Sequence, residues 1–356
     1  MARRVTLEDI ARESAVSLAT VSLVLRNKPG INEETRRRVL LAAQRLGYRR
    51  TNGEGVPPLR LQRVGVLIKT RAGDPPQTNP FYAQVLAGIE SACRRLQINL
   101  LLATVPVDED NHPEEVPRML LEDELDGLLL VGAFVDATIS RLLARPGRPV
   151  VLVDAYASDA GYDSVISDNF RGAYDAVSYL IGRGHRHIGL IGSLPHTYPS
   201  LEERRRGYLQ ALQDHAITTP YFGDCHVYEH EAAQAALDLL QRNPQITALF
   251  CCNDLMAIAA LRALRQVGLR LPEDLSIVGF DDIDTAAHVS PALTTMRVDK
   301  ASMGRLAVQL LLNRADYPDA SCVTTVLRPT LIERASVAQP AARLDPPSLS
   351  APGRGR

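Results

Sequence analysis

From Val64 onward the chain repeats a pattern that few architectures accommodate: a short run of apolar residues, then an amphipathic stretch of several helical turns. The apolar runs are Val64–Ile68, Leu100–Ala103, Gly127–Val131, Val150–Val153, Ile188–Ile191, Ala248–Cys251 and Ser276–Phe280. Runs without polar alternation suit strands covered on both faces, as in parallel sheets flanked by helices. Between them, Phe81–Leu96, Phe170–Gly182, Ala232–Gln241 and Leu255–Val267 space their apolar residues along one helical face. The alternation predicts doubly wound parallel α/β sheets, and about 270 residues of it is more than one such sheet usually needs. No short-period repeat interrupts it.

The first fifty residues break the pattern. Thr6 is placed to cap a helix, with Asp9 at the capping-box spacing and Val5 and Ile10 as a hydrophobic staple. Ser17 repeats the arrangement, with Val16 and Val21 as its pair. Asn32 starts a third helix, where Glu33 and Glu34 meet the positive end of the helix dipole, and Gly47 suits its C-terminal cap. Three short helices, the first two joined by Ser14-Ala15-Val16, fit an all-α helix-turn-helix head.

Charge separates the two regions. Residues 1–50 carry eleven Arg or Lys against five acids, whereas the remainder carries twenty-nine against thirty-six. A basic head on an acidic body points to a polyanionic partner for the head alone. The polar start Met1-Ala-Arg-Arg lacks the apolar core of a signal peptide, and no apolar run is long enough to span a bilayer, so a cytoplasmic protein without a membrane partner is expected. The five cysteines show no metal-ligand spacing and read as buried, reduced thiols. His185 and His187 precede a strand with no acidic neighbour, so packing or solvated histidines are expected and no metal or cofactor.

In open α/β sheets ligands bind beyond the carboxyl ends of the strands. Lys69, Asp154, Asn253, Asp254 and Asp281 stand at those ends. Each is also an ordinary turn or cap residue; together they describe a polar crevice able to hydrogen-bond a hydroxyl-rich ligand.

Three head segments carry a resemblance: Val5-Thr-Leu-Glu-Asp-Ile-Ala, Val16-Ser-Leu-Ala-Thr-Val-Ser22, and Thr35-Arg-Arg-Arg-Val through Leu46-Gly-Tyr48. In the body it is carried by Asn79-Pro-Phe-Tyr82, Ser167-Asp-Asn169, Gly184-His-Arg-His-Ile-Gly189, Arg204 through Tyr208, Asn253-Asp-Leu-Met-Ala257, Val278-Gly-Phe-Asp-Asp282 and Pro291-Ala-Leu-Thr-Thr295. Together these resemble the LacI/GalR family of bacterial repressors. The resemblance implies a dimeric regulator with a helix-turn-helix head and a two-lobed sensor built like periplasmic sugar-binding proteins. Its partners would be double-stranded DNA at a palindromic operator, a second copy of the chain as a homodimer, and a small-molecule effector, a sugar by preference.

On that pattern residues 1–50 form the head, 51–62 a linker and 63–335 the sensor, with 336–356 a disordered tail. The first lobe takes residues near 62–166 and 297–322, the second 167–296 and 323–335. The base-facing positions would be Leu18, Ala19 and Leu23, whose apolar side chains suit thymine methyl groups. Leu23 neighbours the packing residues Val21 and Val24, so a core role competes there. Thr6, Ser17, Thr20, Arg26, Asn32 and Tyr48 would face phosphates, and Ser22 either side. The effector would meet Phe81, Tyr82, Asp154, Arg204, Tyr228, Asn253 and Asp281, with Asp168 and Asn169 structural.

The chain departs from the family in the linker. Gly53, Gly55, Pro57 and Pro58 oppose the hinge helix usual there, so an irregular tether is expected. A second reading, a cytoplasmic solute-binding sensor with weakened DNA binding, draws on this linker and the apolar reading positions; the caps and basic head oppose it. An enzyme is not expected, because neither a Gly-rich phosphate loop nor a nucleophile elbow is present.

Overall fold

The computed structural model describes residues 5–340 except 26–27, 29, 47, 49–60, 72–78, 116–117, 122–124, 144–147, 159–160 and 196. The head is three helices, α1 (Leu7–Glu13), α2 (Leu18–Leu25) and α3 (Glu33–Arg45). They close on a small core of Ile10, Val21, Val24, Leu25, Val39, Leu40 and Ala43. Each helix starts where the sequence supplies a cap. Thr6 and Asp9 exchange side-chain-to-backbone bonds, 3.3 Å into the Thr6 oxygen and 2.9 Å into the Asp9 carboxylate. Ser17 Oγ accepts from Thr20 N at 3.1 Å and Asn32 Oδ1 from Thr35 N at 2.8 Å. Gly47, Arg26 and the linker from 51 to 60 lie outside the described residues.

The head meets the body through Arg37. Its guanidinium donates to Leu125 O at 2.9 Å and pairs with Asp126 at 3.4 Å. The same Asp126 carboxylate accepts from the backbone N–H groups of Gln62 and Arg63, 2.8 Å each, where the chain enters its first strand.

The body begins β1 (Arg63–Arg71), α4 (Pro80–Arg95), β2 (Asn99–Val107), α5 (Arg118–Leu121), β3 (Gly127–Val131), β4 (Phe134–Val135), α6 (Ala137–Leu143), β5 (Val150–Val153), β6 (Tyr156–Ala157) and β7 (Asp163–Ser167). The chain then crosses into α7 (Asn169–Gly182), β8 (Ile188–Ile191), α8 (Pro199–Asp214), β9 (Tyr221–Gly223), α9 (Glu229–Arg242), β10 (Ala248–Cys251), α10 (Asp254–Gln266), β11 (Ser276–Asp281) and β12 (Thr294–Arg297). It returns through α11 (Lys300–Asp316) and β13 (Thr324–Leu327), and crosses a third time to β14 (Thr330–Ile332). Two six-stranded sheets result, ordered β13-β7-β5-β3-β1-β2 and β14-β12-β11-β10-β8-β9, and only β14 runs antiparallel. Small residues permit the close helix crossing of α4 with α11: a Cβ on Gly88 would lie 2.2 Å from Ala301 O.

Two boundaries differ from the sequence reading. Residues 323–327 belong to the first lobe, because β13 pairs along β7 with Thr325 opposite Val165, so the third crossing follows Leu327. The polar, half-exposed pattern of β13 gave no sign of a strand. The segment from Ser336 is also no disordered tail at its start. Ser336 is 1% exposed, its hydroxyl donates to Ile277 O at 2.6 Å, and Thr294 N donates to it at 2.8 Å. Residues 341–356 lie outside the described residues. Cysteines 93, 225, 251 and 252 are buried, but Cys322 is exposed at the edge of the first lobe.

Candidate functional site

On the head, packing divides α2 into two faces. Val21, Val24 and Leu25 are buried, while Leu18 and Leu23 are 47% and 41% exposed and Ala19 faces solvent. Leu23 therefore does not serve the core. Ser22 is half-buried, and the Ser17 and Thr20 hydroxyls bond each other at 2.8 Å beside the exposed face. Thr6 and Asn32 are exposed at the starts of α1 and α3, and Tyr48 is half-buried just beyond α3. An exposed apolar strip on a short helix, flanked by capped helix N-termini, is shaped for a polyanion whose grooves carry methyl groups.

In the body, both sheets turn their strand carboxyl ends toward one interlobe cavity of about 90 Å³. A water needs about 15 Å³ of such space, so the cavity holds a handful of waters or one compact ligand. Phe81, Tyr82, Asp154, Arg204, Tyr228, Asn253 and Asp281 all line it, together with Lys69, Arg71, Asn111, Tyr198 and Ser200.

The first-lobe wall is built at the start of α4. Asn79 caps the helix through a 2.9 Å bond from Phe81 N, which fixes the Phe81 and Tyr82 rings edge to face, centroids 5.1 Å apart. Tyr82 donates its hydroxyl proton to Asp154 Oδ2 at 3.0 Å. Asp154 follows β5 with φ +47°, a left-handed conformation that turns its carboxylate into the cavity. Its Oδ1 is buried without a partner. Burial pushes the Asp154 carboxyl pKa up, against the pull of Lys69 and Arg204.

The second-lobe wall centres on Arg204 of α8. Its Nε donates to Asn169 Oδ1 at 2.9 Å, one terminal nitrogen donates to Cys252 O, and the other reaches Asp281 Oδ1 at 3.4 Å. The guanidinium lies 3.8 Å over the Phe280 ring. Each nitrogen of Arg204 thus makes a bond within the protein, while the side chain also lines the cavity. Burial raises Asp281 to a pKa of about 6, opposed by Arg204 and Lys300. Asn253 spends its Oδ1 on capping α10, with Met256 N donating at 2.8 Å. Tyr228, at the start of α9, stacks on His230 with centroids 5.8 Å apart. Asp168 caps α7 through Arg171 N at 2.9 Å, and Asn169 is wholly buried; both hold the fold.

Across the cleft, the Tyr198 hydroxyl is shared between Gly132 O and Asp154 O, 3.0 Å each. His226 pairs with Glu109 at 2.9 Å, and Gln84 donates to Asp284 at 2.7 Å. Lys300 Nζ donates to the Asp281 and Asp282 oxygens at 2.5 and 2.9 Å, tying the second crossing to β11. These contacts hold the lobes closed.

Residues 6–51 match the profile of bacterial regulatory proteins of the lacI family, and residues 177–337 that of a periplasmic binding protein-like domain. The ribose operon repressor of Haemophilus influenzae is 33% identical over 340 residues, 93% of this chain and 98% of that protein. This chain belongs to the lacI family of bacterial regulatory proteins.

Solved structures of the family superpose on it. The transcriptional regulator CelR in complex with cellobiose is 30% identical, with a TM-score of 0.67 over 94% of this chain and all of that one. A LacI family regulator from Enterococcus faecium with bound ribose is 26% identical, with a TM-score of 0.67 over 78% of this chain and 99% of that one.

Within this LacI family sensor, sequence reasoning did not single out Tyr198, Arg71, Asn111 or Lys300. Tyr198 precedes Pro199 and reads as a helix start, Asn111 as a turn residue, and Lys300 as a surface lysine behind the Asp299 cap. Tyr198 gains its partners only where one lobe closes on the other, whereas Arg71 and Asn111 meet inside the first lobe through remote segments of the chain. His185, by contrast, packs as expected: it is 1% exposed and bonded to Thr247 Oγ1 and Ala338 O, 2.9 Å each. Among the described residues no cluster of three or more His, Cys, Asp or Glu is suited to a metal, and no helix is long and apolar enough to cross a membrane.

Proposed function

We propose that the chain is a cytoplasmic transcriptional repressor that reads a palindromic operator as a homodimer and answers to a small polar effector, a sugar, in the interlobe cleft. The observation that carries this reading is the pairing in one chain of an exposed apolar reading face on α2 with a closed polar cavity at the strand ends of two sheets. One short helix reads too few base pairs for useful specificity, so two heads related by a twofold axis are needed.

In this reading Leu18, Ala19 and Leu23 pack on thymine methyl groups, and Ser22 lies beside them. Thr6, Ser17, Thr20, Arg26, Asn32 and Tyr48 hold phosphates, the capped helix starts contributing backbone N–H groups. In the cleft, Phe81, Tyr82 and Tyr228 supply flat walls, Asp154, Asn253 and Asp281 bond hydroxyls, and Arg204 keeps Asp281 in place. The ribose and cellobiose in the two related structures support a sugar.

Selection of the full-length protein on random duplexes tests the proposal. It should enrich an inverted repeat, with affinity falling steeply as salt rises. Enrichment of no palindrome would remove the repressor reading and leave a solute-binding sensor.

A further inference from the structure

We propose that closure of the cleft takes up a proton: His226, clamped between one carboxylate of each lobe, latches the lobes together when its ring is doubly protonated and releases them when it is neutral. This names a regulation of the effector cleft proposed above and rests on that reading for its consequence, whereas the latch itself is measurable with no ligand present.

His226 stands in the loop between β9 and α9, on the second lobe. Its Nδ1 lies 3.1 Å from Glu231 Oε2 of the same lobe, and its Nε2 lies 2.9 Å from Glu109 Oε2 of the first. A carboxylate oxygen accepts and never donates, so each ring nitrogen has to donate to satisfy its partner. A neutral imidazole has one donor and one acceptor; only the imidazolium has two donors. With the ring neutral, a nitrogen lone pair would face a carboxylate, and two negative charges would meet across an uncharged ring. The closed geometry is therefore complete only with the second proton. Once the lobes part, Glu109 withdraws and the ring keeps a single partner, which a neutral imidazole satisfies.

Each carboxylate is held by its own lobe, so the ring registers the separation of the two. Glu231, in the first turn of α9, also accepts from His226 N at 2.9 Å. Glu109 follows β2 in a turn where Asp108 Oδ1 accepts from Asp110 N at 3.0 Å and from His112 N at 2.8 Å. The neighbouring ionisable groups have partners of their own or stand further off. Asp108 pairs with His112 at 3.6 Å, Asp224 pairs with Arg205 at 2.6 Å, and Cys225 is buried. The Tyr228 ring lies 6.4 Å from the His226 ring, centroid to centroid, and stacks on His230. Asp110 and Glu229 adjoin the latch in sequence, both exposed.

Histidine is the side chain that ordinarily changes charge between pH 5 and 8. The His226 side chain is 34% exposed, open enough to exchange protons with solvent. An ion pair this accessible is weak, so the latch tunes closure beside the Tyr198 bonds and the Gln84–Asp284 bond rather than deciding it alone. Falling pH thus favours the closed cleft and slower loss of its occupant, and rising pH favours the open one.

Single-molecule energy transfer on the ligand-free, full-length protein tests the latch. Dyes are placed at Glu115→Cys and Gln234→Cys, exposed positions on the first and second lobes, with Cys322→Ser removing the exposed native thiol. Labelled chains diluted into unlabelled ones keep one dye pair per assembly. From pH 8 to pH 6 the ratio of closed to open molecules should rise about fivefold, the scale of an accessible charge pair. His226→Gln and Glu109→Gln should each cut that rise below about twofold, which separates the latch from Asp154 and Asp281 inside the cleft. Melting temperatures establish that both variants fold. An equal ratio at the two pH values, or a rise in either variant as large as in the parent, would overturn the proton latch. Neither result bears on the effector, since no ligand is present, and operator selection tests the repressor reading separately.

Discussion

The hydroxyl of Tyr198, on the second lobe, lies 3.0 Å from the backbone oxygen of Asp154, on the first. The peptide that Tyr198 grips thus belongs to the residue whose side chain faces the cavity, which couples lobe closure to the state of Asp154. A ligand that bonds the open Asp154 Oδ1 acts on the loop that Tyr198 holds shut.

Tyr198→Phe should therefore favour the open cleft. Loss of the hydroxyl leaves two carbonyl oxygens without their donor, worth about 1–3 kcal/mol while the cleft stays closed. Small-angle scattering of the ligand-free variant should give a larger radius of gyration than wild type. An unchanged radius would mean that the other interlobe contacts suffice.

Arg204→Ala should damage the second lobe as well as the cleft. The change strips a bonded partner from Asn169, Cys252 O and Asp281 together. A buried carboxylate left without its cation costs about 3–5 kcal/mol. Urea denaturation should report a loss in that range, and Arg204→Lys should recover little, since one ammonium cannot span three acceptors. A loss below about 1 kcal/mol would contradict the bonding described for Arg204.

Asp254 makes stability depend on pH. Burial, with Asp281 next, raises its pKa from 3.8 to about 8. The folded state thus holds the proton more tightly than the unfolded chain, so this contribution is complete below about pH 4 and fades as pH rises through about 8. Asp281, raised to about 6, adds the same sign over a narrower window. Asp254→Asn should remove its part of the slope, because an amide can still accept from Ile283 N and donate to Thr295 Oγ1, its partners at 2.8 and 2.6 Å. Denaturation midpoints from pH 5 to 9 should fall less for the variant; parallel curves would show that Asp254 is charged throughout.

Leu23→Ala should alter operator preference while leaving the melting temperature within a degree or two, because the side chain is 41% exposed. Ser17→Ala should behave in the opposite way, costing about 1 kcal/mol through the lost cap of α2. Comparing selected sequences with melting curves for the two variants separates reading from folding. A Leu23→Ala protein that melts well below wild type would return that residue to the core.

Local chemistry by itself determined the elements that bear strong signals. The Thr6, Ser17 and Asn32 caps set three helix starts, and uninterrupted apolar runs set the central strands, because capping and burial act over a few residues. That Asp154, Asn253 and Asp281 line the cavity was legible for a related reason: strand ends in such sheets converge on one crevice. Tertiary structure decided what depends on distant partners. The strand β13 exists because β7 offers it an edge, and Ser336 is ordered because Thr294 and Ile277 complete its bonds. Tyr198, Asn111 and Lys300 are unremarkable residues in the chain, and they acquire their roles from remote partners, Tyr198 across the closed cleft and Asn111 from β1 of its own lobe. Arg204, read from sequence as a ligand contact, lines the cavity and also donates to Asn169, Cys252 O and Asp281. A sequence tells which side chains can donate and accept, but partners from remote segments determine which of those groups are left for a ligand.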